Sequence, residues 1–215
     1  MRTQSSPARI GAEVAAFLLA ASCAGCDTPG SLLCPTCRRE LVPRPQDALT
    51  PRGMRVTAAL PLEGVAARCV RRLKDEGDTL LARPLGALLA TTLRPEVTPT
   101  TWVIPVPTAR RAFRRRGYRV PELLIRRAGA HPQPVLAATA AAVDQRGLGA
   151  RARERNVHGA MRARRRGDGA DAVIVDDVVT TGATFDEAAR ALEAAGFRVI
   201  AAVALAATPR HRGFG

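Results

Sequence analysis

Residues Ala172 to Gly196 read AVIVDDVVTTGATFDEAARALEAAG, and this stretch decides the fold class. Four apolar residues, Ala172 to Val175, predict a short buried strand that stops at two adjacent carboxylates, Asp176 and Asp177. A turn is expected next: Val178 and Val179 lead into Thr180, Thr181, Gly182, Ala183 and Thr184. A helical pattern then runs from Phe185 to Ala195 and stops at Gly196. A strand thus delivers a small-residue loop onto a helix N-terminus.

That arrangement suits a particular ligand chemistry. Unpaired amides and the positive end of a helix dipole hold phosphate, Gly182 permits close backbone approach, and threonine hydroxyls add donors. Two carboxylates just before the loop accept hydrogen bonds from sugar hydroxyls or hold Mg²⁺. Together these groups describe a sugar phosphate. The run VIVDDVVTTGAT resembles the phosphoribosyl-pyrophosphate (PRPP) motif of type I phosphoribosyltransferases. The resemblance implies that Asp176 and Asp177 meet the ribose hydroxyls and serve catalysis, and that Val178 to Thr184 complete PRPP binding around the 5-phosphate.

Outward from this stretch, β and α patterns alternate. Val56 to Leu62 predicts a strand, Gly64 to Lys74 a basic helix, and Asp78 caps a longer helix reaching about Leu93. Thr101 to Val106 predicts a strand in which Trp102 is buried, Gln133 to Ala137 another, and Arg198 to Ala206 the last. Such alternation predicts an α/β fold with a mainly parallel twisted sheet and helices on both faces. Ligands in such sheets sit where strands exit, so the PVPTARR turn, Pro105 to Arg111, is a second candidate loop. Thr139 to Gly169 is rich in glycine and arginine, and is expected to be a loop with at most a short helix.

Four cysteines precede this domain. Cys23, Cys26, Cys34 and Cys37 form C-x2-C-x7-C-x2-C, two knuckles able to converge on one structural Zn²⁺. A disulfide pair would need an oxidising compartment that nothing else in the chain supports. Cys69 lies apart, in a helical context, as a small buried residue. Residues 41 to 53, with three prolines, read as a linker. The expected organisation is 1–52, an N-terminal helix, zinc module and linker, and 53–215, the main domain.

Charge and hydropathy bound the setting. Of 33 basic residues all but Lys74 are arginine, and the formal net charge is +14. Arginine suits bidentate phosphate recognition, and also accompanies the compositional bias of a GC-rich genome. Arg110, Arg111, Arg114, Arg115, Arg116 and Arg119 cluster within ten residues, a candidate backbone-driven surface for single-stranded DNA. The apolar stretch Ile10 to Ala21 is interrupted by Glu13 and too short to span a bilayer, so a short packed helix is expected, with no stable membrane insertion and a cytoplasmic setting.

The order of these features resembles the ComF family of zinc-bearing, phosphoribosyltransferase-like proteins associated with bacterial competence. The likeness runs through the cysteine pairs, GVAARCVRRLKDEGD, WVIPVPTARRAFRRRGY, DQRGLGARARERNVHGAM and VIVDDVVTTGAT. It implies PRPP with Mg²⁺ as ligand and DNA uptake or nucleotide metabolism as the setting, with competence-machinery proteins as partners. It also implies a pyrophosphate site made by Val106, Pro107, Thr108 and Arg110, with Arg146 and Arg151 closing over it. Two departures fall near the loops expected over pyrophosphate and the incoming nucleophile. Arg119 and Val120 stand where the family commonly has Asn-Gln, and Ala137 to Val143 lacks a basic residue.

Overall fold

The computed structural model describes residues 22–139 and 159–209. The helix expected at Ile10 to Ala21, and Arg146 and Arg151, lie outside the described residues. Two compact units are present: the described residues 22–42 with 63–81, and 43–62 with 82–139 and 159–209.

In the first unit, helix α1 (Pro35–Glu40) starts at an N-cap cysteine, Cys34, whose sulfur accepts from the Cys37 amide, with Pro35 in the first turn. Helix α2 (Gly64–Arg71) buries Val65, Ala66, Cys69 and Val70 along one side, the i, i+4 spacing of a packed face. It continues into a π-helical turn (Arg72–Glu76) that ends at Gly77. Arg72 joins the parts of this unit. Its guanidinium donates to the Ser22 carbonyl at 3.0 Å and the Ser22 hydroxyl at 3.1 Å, and pairs with Glu76 at 3.2 Å and Asp78 at 3.5 Å.

In the second unit, five strands among the described residues form one sheet: β1 (Gln46–Leu49), β2 (Arg55–Pro61), β3 (Trp102–Pro105), β6 (Asp171–Val179) and β7 (Arg198–Ala207). Their order is β1-β2-β7-β6-β3, with β1 antiparallel to β2 and the other pairings parallel. Strands β4 (Leu136–Ala138) and β5 (Met161–Ala163) make a separate antiparallel ribbon. The α/β class with a mostly parallel sheet therefore stands as the sequence predicts. Helices α3 (Ala82–Leu93) and α5 (Val120–Arg127) pack on one face of the sheet. Between them Gly86 is essential to the approach, because a Cβ there would lie 2.4 Å from the Arg127 Cβ. Helix α6 (Ala183–Glu193) packs on the face bearing Ile104, Ala172, Ile174, Ala202 and Ala204, through Phe185, Ala188 and Leu192. A short helix α4 (Arg110–Arg116) follows β3.

Three expectations need correction. The residues read as a linker contain β1, a hairpin partner of β2: Pro43 and Pro45 precede the strand and Pro51 follows it, so no ladder amide is lost. The segment from Thr139 to Gly169 contains β5, which the hydrophobic pattern did not reveal because the strand is only three residues long. Trp102 is half-buried, not enclosed, and meets Phe197 edge to face with centroids 5.5 Å apart.

The ribbon is tied to α6 by one ion pair. Glu187, 4% exposed, accepts the Met161 amide at 2.8 Å and two bonds from Arg190 at 2.7 and 2.8 Å. Arg190 also donates to the Met161 carbonyl at 3.0 Å. Burial pushes the Glu187 carboxyl up, but the Arg190 guanidinium and the Met161 and Gly159 amides outweigh it and hold it below the usual glutamate range. Its stabilisation is therefore full above the unfolded value of about 4.3 and is lost as pH falls through the lower folded value. Glu187→Ala should cost about 3 kcal/mol at pH 7, since Arg190 loses its buried partner. Urea unfolding should show that gap narrowing below pH 4; a gap independent of pH would contradict the assignment.

Candidate functional site

Strand β6 runs on through both carboxylates to Val179, longer than its apolar core predicts, because β7 pairs with it up to Val179↔Ala207. Adjacent strand residues face opposite sides, so Asp176 follows the α6 face and Asp177 the α3/α5 face. Asp177 is 8% exposed and Asp176 is half-buried; the Asp176 Oδ1 accepts the Asp177 amide at 2.8 Å. The turn proper shrinks to Thr180, Thr181 and Gly182.

Gly182 is the N-cap of α6 and has φ +85°. Thr180 and Thr181 are exposed beside it, and Gly182 is buried. Because α6 begins at Ala183, the Gly182 carbonyl is the first that its amides can use, accepting from Phe185 at 2.9 Å and Asp186 at 3.1 Å, while the Ala183 amide reaches the Thr181 hydroxyl at 3.4 Å. Donors at a helix N-terminus and the helix dipole suit an anion.

The exit of β3 lies beside that of β6. The Val106 amide donates to the Val175 carbonyl at 2.9 Å, and the Thr208 amide to the Val179 carbonyl at 2.9 Å. Val106, Pro107 and Thr108 thus leave the same sheet edge as Asp176 to Thr184, and Arg110 opens α4 directly after them. His131 is at the other end of β3, exposed, lining a cavity of about 260 Å³ with Thr101, Val103 and Gln133.

The arginine cluster divides in two. Arg110, Arg111, Arg114, Arg115 and Arg119 are exposed, whereas Arg116 is half-buried. The Arg119 guanidinium lies 4.4 Å from the Phe113 ring centroid and 3.6 Å from Glu122.

Sequence reading missed the β1–β2 hairpin loop, Thr50 to Gly53, which packs against the Gly182 turn. A Cβ on Gly182 would lie 2.9 Å from the Thr50 Cα. Asp186, in the first turns of α6, accepts the Arg52 amide at 3.0 Å. The Thr-Pro-Arg-Gly turn signature was the available signal, but nothing local ties it to a loop more than a hundred residues away.

In the first unit the four cysteines converge. Cys23, Cys26, Cys34 and Cys37 place their sulfurs within 4.8 Å of one another, and Cys26 and Cys34 are 3.7 Å apart. Tetrahedral zinc with bonds of about 2.3 Å needs sulfur separations near 3.8 Å, so the set fits such an ion. The Cys34 and Gly25 amides donate to the Cys23 sulfur at 3.3 and 3.4 Å. Burial raises the Cys23 thiol, yet these amides and that of Cys26 more than offset it and leave it at about 6. Cys37 is pushed the other way, by burial and by the neighbouring sulfurs. Four thiolates this close repel one another, a repulsion that a divalent cation relieves. All five cysteines are free thiols, and Cys69 is fully buried, its thiol raised to about 11 by burial.

A family model for the phosphoribosyl transferase domain matches residues 114–214, so the chain is similar to that domain over that part. Among solved structures, TT1426 from Thermus thermophilus is 22% identical at a TM-score of 0.34, covering 62% of this chain and 85% of its own. Adenine phosphoribosyltransferase from Rhodothermus marinus is 16% identical at a TM-score of 0.38, covering 82% and 94%. UMP synthase from Leishmania donovani is 15% identical at 0.40, covering 95% of this chain and 37% of its own. At these scores the overlaps carry no functional argument. No curated protein matches.

Proposed function

We propose that this chain binds PRPP with Mg²⁺ at the exits of β3 and β6, as a phosphoribosyltransferase-like protein of the ComF type. One observation carries the reading: the aspartate pair, the Gly182 turn and the loop after Val106 leave one sheet edge side by side. The domain match over residues 114–214 includes the first two of these, and the four-cysteine unit that precedes it in sequence supports the ComF type. A cytoplasmic setting in DNA uptake or nucleotide metabolism goes with that assignment.

In this reading the first-turn amides of α6 and the hydroxyls of Thr180, Thr181 and Thr184 hold the 5-phosphate. Asp176 and Asp177 orient the ribose. Val106 to Thr108, with Arg110, hold pyrophosphate, whose charge Mg²⁺ neutralises when bound. Loss of pyrophosphate from C1 leaves a ring with oxocarbenium character, so positioning and leaving-group stabilisation suffice for catalysis.

Asp176→Asn and Asp177→Asn should each weaken PRPP binding about tenfold or more, the value of a hydrogen bond to a charged group. Calorimetric titration with Mg²⁺ present measures this, and pyrophosphate release across the common nucleobases measures turnover. Wild-type affinity in both variants would overturn the site; binding without release would favour a second reading, a PRPP-sensing accessory protein. The exposed Arg110, Arg111, Arg114 and Arg115 favour single-stranded DNA as its partner, and affinity that does not fall with salt would remove that partner.

A further inference from the structure

The β1–β2 hairpin loop has no part in the site as read from sequence, yet its contacts are with the Gly182 turn and the start of α6. Thr50 is 5% exposed and internally braced: its hydroxyl accepts the Met54 amide at 3.0 Å, its own amide donates to the Met54 carbonyl at 2.9 Å, and the Gly53 amide closes the turn onto the Thr50 carbonyl at 3.0 Å. The loop is therefore a stiff body. It packs against the Gly182 turn so closely that a Cβ there would stand 2.9 and 2.8 Å from Thr50 Cα and Cγ2. One side-chain bond joins the two bodies, from the Arg52 amide to the Asp186 Oδ2 at 3.0 Å. Asp186 is 9% exposed, so water competes little for that carboxylate.

We propose that the hairpin loop is the back wall of the phosphate loop and that Asp186 is the positioning residue that holds it there. The proposal rests on reading Thr180 to Thr184 as the 5-phosphate loop. Asp186 sits one turn behind the amides that face the ligand and acts through Arg52 and Thr50. Without its bond the hairpin is free to move off Gly182, and the turn, left-handed at that residue, loses the surface that fixes its place. Positioning errors of an ångström cost heavily at such a site. The effect is confined to the phosphate end, because Val106 to Thr108 are anchored separately through the Val106 amide on Val175.

The test titrates the full chain with ribose 5-phosphate and, separately, with pyrophosphate plus Mg²⁺. Asp186→Ala should weaken ribose 5-phosphate about tenfold and leave pyrophosphate within about twofold, while Asp186→Asn, which keeps an acceptor oxygen, should restore ribose 5-phosphate binding. Equal losses for both ligands, wild-type affinity in Asp186→Ala, or failure of Asp186→Asn to rescue would each overturn the proposal. Amide hydrogen exchange on the unaltered chain needs no variant: the Arg52 amide should be protected, and slower still when ribose 5-phosphate saturates the protein. An Arg52 amide indifferent to that ligand would overturn it as well. If the unaltered chain does not bind ribose 5-phosphate, the phosphate-loop reading falls and this proposal with it; if it binds and Asp186→Ala binds equally, only the proposal falls.

Discussion

If the cysteine cluster holds zinc, stripping it is expected to remove ordered structure from residues 22–41, the largest effect anticipated for any single perturbation of this chain. That segment has few apolar anchors of its own: among its described residues Cys23, Ala24, Leu33, Cys37 and Leu41 are the buried apolar ones, and two of them belong to the four-cysteine cluster. Structural zinc contributes about 10 kcal/mol or more to comparable small modules at neutral pH, far beyond what three small side chains supply. Purified protein should hold about one zinc per chain, and Cys34→Ser should lose it. Binding requires thiolates, so the metal should be released as pH falls. Zinc analysis with amide exchange before and after chelation measures both effects. A folded, metal-free, disulfide-bonded form would refute the prediction.

Gly182→Ala should abolish useful phosphate binding without touching a ligand-contacting side chain. The residue has φ +85°, where an L side chain costs about 1–2 kcal/mol. Its new Cβ would also stand 2.8 Å from Thr50 Cγ2 and 2.9 Å from Thr50 Cα, closer than unstrained carbons approach. Overpacking of this kind costs about 1–3 kcal/mol. The turn escapes only by moving, which misplaces the first-turn amides of α6, so ribose 5-phosphate affinity should drop about a hundredfold. A titration showing wild-type affinity in the alanine variant would mean that the ligand does not use this turn.

These expectations draw unevenly on what was readable in one dimension. Chemistry encoded in consecutive residues was legible. VIVDDVVTTGAT announced strand, turn and helix start because each rests on local propensity and short-range spacing, and the cysteine pairs because two CxxC knuckles are themselves local structures. What failed depended on remote partners. Strand β6 outlasts its apolar core because β7 lies beside it, and a pairing supplied by residues 198–207 leaves no trace in residues 176–179. The proline-bearing stretch 41–53 reads as a linker because proline interrupts ladders, yet each proline stands outside the four residues that pair. Strand β5 was invisible for a related reason. Three residues carry no period, and its place is set by Glu187 and Arg190 on α6.

By itself the sequence determined the α/β class, the strand, turn and helix start from Ala172 to Phe185, and the four-sulfur cluster, since all three follow from bonds and dihedral preferences within a few residues. Only the tertiary structure decided that the two aspartates face opposite sides of one strand, that Val106 leaves the sheet beside Val175, and that Thr50 packs on Gly182 while the Arg52 amide meets Asp186. The reason is physical. Backbone hydrogen bonding across a sheet and close packing at a glycine are settled by whichever segment arrives there, and contacts between residues 50 and 182 become possible only once the sheet between them has formed.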